Sequence, residues 1–148
     1  MIQRKQTLFL LAAFILTIVC MCMQVATLYG NEGIVFAKVY NLWLSDGQGH
    51  HTFRSAPLFA CLVLSALLSL VTIFMYMKRK LQATMCLINM ALLVVWFLLL
   101  AVLPQRIGGS MVLEWTVVLP AVSILLQFMA RRGILADEKL VRSLDRIR

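Results

Sequence analysis

A chain of 148 residues that is 62% hydrophobic and only 14% charged is too poor in polar groups for a water-soluble domain, which keeps roughly a quarter of its residues charged. Its formal charge of +8 is carried at the ends of long apolar runs and not in a basic patch, so phospholipid headgroups replace nucleic acid as the expected partner. The apolar runs are about twice as long as the ten or so alternating residues of a barrel strand, which excludes a β-barrel and leaves helices.

A hydrocarbon core about 30 Å thick needs roughly 20 apolar residues as helix. No charge interrupts Lys5 to Glu32, and Thr7 to Leu28 is expected as span one. The stretch is longer than a signal-peptide core and is followed by no A-x-A-like site, so it reads as an uncleaved anchor. Ser55 to Met77 is the next uncharged window. Pro57 fits the first turn of a helix, and span two is expected over 57–77. The cluster Lys78-Arg79-Lys80 makes a tight basic turn into span three, 81–103, which Pro104 is expected to close.

The fourth span is interrupted by Glu114. Trp115 to Ala130 alone covers only about 24 Å as helix, so residues from about 111 are expected to complete it, with Pro120 a candidate kink. The long loop over 29–56 has a β-branched and aromatic run, Ile34 to Leu44, followed by the turn signal Ser45-Asp46-Gly47-Gln48-Gly49. Together they predict a small hairpin on the outer ends of the helices. After Gly133, Leu140, Val141, Leu144 and Ile147 recur at helical spacing. Asp137 and Glu138 stand at the start of this segment and Arg146 and Arg148 at its end, an order that suits the helix dipole. The tail 131–148 is therefore expected as a separate amphipathic helix lying along the headgroups.

Eleven basic residues fall on one side of these spans, namely Arg4, Lys5, Lys78 to Lys80, Arg131, Arg132, Lys139, Arg142, Arg146 and Arg148. Three, Lys38, Arg54 and Arg106, fall on the other. The asymmetry places both termini in the cytoplasm, as an even number of spans requires. The expected fold is thus an all-α integral membrane protein, a four-transmembrane-helix bundle with a β-hairpin-like extracytoplasmic loop and a C-terminal amphipathic helix.

Three stretches resemble a known family: MIQRKQTLFLLAA (Met1 to Ala13), RKLQATMCLIN (Arg79 to Asn89) and LPAVSILLQFMARRGILADEKLVRSLDRIR (Leu119 to Arg148). The match is most specific in DEKLVRSLDRIR. They are similar to a bacterial family of small four-span inner-membrane proteins described only as a domain of unknown function. The resemblance implies a fold and a bacterial inner membrane, and no activity. The loop from Tyr29 to Ala56 carries no part of it.

No catalytic constellation stands out. Cys20, Cys22, Cys61 and Cys86 all lie in apolar runs. Cys20 and Cys22 diverge by about 200° on a helix and cannot bridge, so packing is the preferred reading over a redox pair. His50-His51 with Asp46 could make at most a weak metal site, and a solvated loop is the preferred reading; no cofactor is expected. Asn41-Leu42-Trp43 resembles a tryptophan motif of claudin-like four-span proteins. The loop lacks their cysteines, and Trp43 reads as an interfacial anchor. Within the spans the polar residues Thr17, Gln24, Ser65, Ser69, Thr72, Asn89, Ser123 and Gln127 are all uncharged. Asn89 and Gln127 are the costliest to expose to lipid and are expected to bond across helices.

Lys139, Arg142, Arg146 and Arg148 are the candidate surface for anionic lipid or an acidic partner. The leading expectation is a non-enzymatic structural or interaction protein, with a membrane-protein partner or a second copy of itself. A passive channel or small transporter, with Asn89 and Gln127 lining an oligomeric pore, is the alternative, and a cysteine-based membrane enzyme ranks last.

Overall fold

The computed structural model describes residues 3–30, 34–46, 48–75, 78–107 and 110–145. Four helices, α1 (Gln3–Cys22), α2 (Ala56–Phe74), α3 (Arg79–Ile107) and α4 (Val118–Asp145), are long and apolar enough to cross a membrane. Five strands accompany them: β1 (Gln24–Tyr29), β2 (Val35–Tyr40), β3 (Leu44–Asp46), β4 (His51–Thr52) and β5 (Ser110–Leu113). The helices close a ring in which α1 packs on α2 and α4, and α3 packs on the same two.

The strands form one antiparallel sheet in the order β4-β3-β2-β1-β5. The predicted hairpin is therefore part of a larger cap, and its foreseen turn joins β3 to β4. There Gly49, at φ 83°, takes a left-handed conformation that other residues avoid, and the Asp46 and Gly49 amides close the turn on the His50 and Asp46 carbonyls. The expected first span runs too far. Twenty residues of α1 already cover about 30 Å, and the chain leaves the helix before Gln24 to become β1, the strand between β2 and β5. Its middle four residues are all buried, so β1 lacks the alternation of a half-buried strand. A short, continuous apolar run of that kind cannot be told from helix by periodicity.

The fourth span is also displaced. Residues 110–113 are β5, which pairs with β1 from Tyr29↔Ser110 to Ala26↔Leu113. The missing length comes from the other end, because α4 continues without a break through Gly133 to Asp145. The expected separate tail helix along the headgroups is not formed. Gly133 serves close approach and not termination: a Cβ there would meet the Gln6 side chain of α1 at 3.1 Å. Pro120 falls in the first turn of α4, where its missing N–H has no intrahelical acceptor to serve, so it is not a kink in mid-span. Pro104 lies inside the last turn of α3, which ends at Ile107, and does not close it. Pro57 sits in the first turn of α2 as expected.

Two apolar cores form. One, at the sheet end, joins Val25, Leu28 and Val39 of the sheet to Cys20, Leu62, Leu93 and Trp96 of the helices. The other, at the opposite end, joins Leu10 of α1, Ala83 and Cys86 of α3, and Ala130 and Ile134 of α4.

Candidate functional site: a polar belt and the basic end of the bundle

On every helix the residues between the two cores include polar ones: Thr17 on α1, Ser65 and Ser69 on α2, Asn89 on α3, Ser123 and Gln127 on α4. All six are buried. They make a belt across the middle of the bundle, where hydrocarbon would surround it outside and no bulk water reaches within. Some of the belt is interhelical bonding, as the sequence suggests. Asn89 Nδ2 donates to Ser69 Oγ at 2.7 Å, tying α3 to α2, and Ser123 Oγ donates to the Ala13 carbonyl at 3.2 Å, tying α4 to α1. Thr17 bonds back to the Ala13 carbonyl of its own helix.

Gln127 departs from that expectation. Neither its Nε2 nor its Oε1 has a partner among the described residues, and Ser65 Oγ and Asn89 Oδ1 are likewise unpaired. Asn89 and Gln127 face the interior of a single chain, at 2% and 0% exposure. A pore between protomers would draw on the outer faces of the bundle, and this chain holds both side chains inside it. Gln127→Met, which keeps the length of the side chain and removes both orphaned atoms, is expected to stabilise the protein by about 1 kcal/mol. Asn89→Leu should destabilise it by about as much, since it strands Ser69. Unfolding in detergent micelles checks both signs.

A second polar set, absent from the sequence-based expectations, ties the sheet to the helices. Asn41 is fully buried. Its Nδ2 donates to the Cys20 carbonyl at 2.7 Å and its Oδ1 accepts from Trp96 Nε1 at 3.1 Å. Glu114 Oε1 accepts from Thr27 Oγ1 at 3.0 Å and from Gln24 Nε2 at 3.4 Å, fastening β1 to the approach to α4. Trp43, expected as an interfacial anchor, packs against the rings of Tyr40 and His51, at 5.7 and 5.8 Å between centroids. The signal for Asn41 was its position in an apolar run, between Tyr40 and Leu42, where an amide needs partners.

The opposite end carries the bases. Gln6 Nε2 donates to Asp137 Oδ2 at 2.6 Å and Arg79 donates to the Asp137 carbonyl at 3.4 Å, so α1 and α3 both hold α4 at this level. Lys80 lies 3.9 Å from Glu138; with the lysine largely exposed, such a pair orients more than it stabilises. Beside it opens a cavity of about 570 Å³ lined by Lys80, Arg132, Leu135, Ala136, Glu138 and Lys139. Of the expected surface residues, Lys139 lines this cavity. Arg142 belongs to α4 by its backbone, its side chain falling outside the described residues, as do Arg146 and Arg148 entirely. Leu140 and Val141, two members of the foreseen apolar face, are 57% and 42% exposed.

The four cysteines are unpaired, with Cys20 and Cys86 buried, and no group of three metal-ligating side chains occurs among the described residues. No curated protein matches the chain. A family model described as a domain of unknown function, DUF4293, matches residues 2–147, and the chain belongs to that family.

Proposed function

We propose that this is a non-enzymatic interaction protein of a bacterial inner membrane, with both termini in the cytoplasm, that binds the acidic segment of another membrane protein at the basic end of α3 and α4. One observation carries the reading: the cavity of about 570 Å³ brings Lys80, Arg132 and Lys139 together around Leu135 and Ala136, three bases against the single acid Glu138, which lies beside Lys80. Next to it, Leu140 and Val141 of α4 stand uncovered. Cations around apolar side chains suit an anionic, partly apolar segment. Anionic headgroups beneath the same bases would hold the surface at the membrane, at about 1 kcal/mol for each Lys or Arg.

The test uses the full chain, tagged and extracted from its native membranes in mild detergent. A stoichiometric partner identified by mass spectrometry should be lost from the double variant R132E/K139E, and from a chain ending at Glu138, which keeps the Asp137 and Glu138 ties. A partner indifferent to both changes, or a homo-oligomer without a partner, sinks the reading.

A further inference from the structure

At the sheet end, a second groove runs between α2 and α3. It encloses about 260 Å³, and both Arg54 and Arg106 line it. Its apolar length is one face of α3: Val95, Leu98 and Val102 repeat at three and four residues and lead to Arg106. Pro57 lines the side formed by α2, and Arg54 stands just before that helix. From Val95 to Arg106 the helix rises about 16 Å, close to the half-thickness of a hydrocarbon core about 30 Å deep. No acidic residue among the described residues lines the groove. Asp46 lines the adjoining cavity that Arg54 also borders, and makes no ion pair with it.

We propose that this groove is a binding site for one anionic phospholipid of the leaflet at the sheet end. The phosphate sits between Arg54 and Arg106, and one acyl chain lies along Val95, Leu98 and Val102. Two planar guanidiniums offer the forked donors that phosphate oxygens accept, and two uncompensated positive charges favour a net-anionic headgroup over a zwitterionic one. The length of the apolar face matches one chain of one leaflet, which separates the site from ordinary headgroup-level arginines. Of the three bases at this end, only Lys38, on β2, lies away from the groove. The site is independent of the partner surface at the other end of the bundle.

The test reconstitutes the full-length protein in phosphatidylcholine vesicles containing a few per cent of phosphatidylglycerol that carries a photoactivatable diazirine in one acyl chain. Labelling should concentrate on residues 95–102 over the exposed face of α1 in its sheet-end half, at Ile15 and Val19. R54Q/R106Q should reduce it about tenfold, while K38Q leaves it unchanged. Val102→Trp, which keeps both arginines and fills the track, should reduce it comparably, so the proposal stays testable if the double variant fails to fold. Labelling spread equally over α1 and α3, an equal loss in K38Q, an unaffected V102W, or displacement by millimolar inorganic phosphate would each overturn it.

Discussion

Asn41→Ala is expected to lower the stability of the protein in detergent by about 2–3 kcal/mol, the combined cost of a lost bond, an orphaned donor and a small void. Asn41 is a single amide holding three elements. It sits in the turn after β2, donates to the end of α1 through the Cys20 carbonyl, and accepts from Trp96 of α3. The Cys20 carbonyl keeps a longer bond from the Met23 amide at 3.3 Å. The larger loss therefore falls on Trp96, whose fully buried indole N–H has no other bond among the described residues. Trp96→Phe removes that donor and strands Asn41 Oδ1 instead. The two changes act on one bond, so N41A/W96F should cost less than the sum of the single variants. Urea unfolding in mixed micelles gives the three numbers. An Asn41→Ala effect within 0.5 kcal/mol of wild type, or strict additivity, would show that this junction does not hold the sheet to the bundle.

The second large effect belongs to Gly133. A leucine there must push Gln6 out of the α1–α4 contact and break its bond to Asp137, at an expected cost of about 2–3 kcal/mol. Gln6→Ala vacates the space, so the pair G133L/Q6A should recover at least half of the loss. Gly133→Ala divides two opposed terms. Replacing glycine inside a helix gains about 1 kcal/mol, while the Gln6 side chain must move by a few tenths of an ångström. Its net effect should be near zero. A G133L protein of unchanged stability would mean that α1 and α4 do not approach closely here.

The roles of these two residues were not legible in the sequence, whereas the helices were. The four helices follow from apolar length, because hydrocarbon thickness sets one requirement that three runs meet outright and the fourth meets only with residues added beyond its apolar stretch. Boundaries were readable only where a charge or proline marked the interface, as at Pro57 and the Lys78 to Lys80 turn. Gln24 to Tyr29 was hidden because a strand buried on both faces has the composition of a span. Ser110 to Leu113 was hidden because four residues show no period, and its pairing with β1 is a tertiary fact. Gly133 carried two meanings, helix end or close approach, and only the position of Gln6 decides between them. Within the candidate site, Asn89 was legible as an interhelical donor. That Gln127 keeps no partner was not, since satisfaction depends on the neighbouring helix. Lys139 was legible as a surface base, whereas its convergence with Lys80 and Arg132 joins segments far apart in the chain.

The pairing of β1 with β5 sets an order on assembly. Tyr29 and Ser110 face each other across the ladder, so a strand made early in synthesis waits for one made after α2 and α3 have been placed. Until then one edge of β1 stays open, beside a membrane and carrying apolar side chains, in the condition that invites pairing with another chain. A nascent protein stalled before residue 110 should therefore be the aggregation-prone species during biogenesis. The cap would act as a late checkpoint, closing only when the first three helices have arrived and just ahead of the fourth.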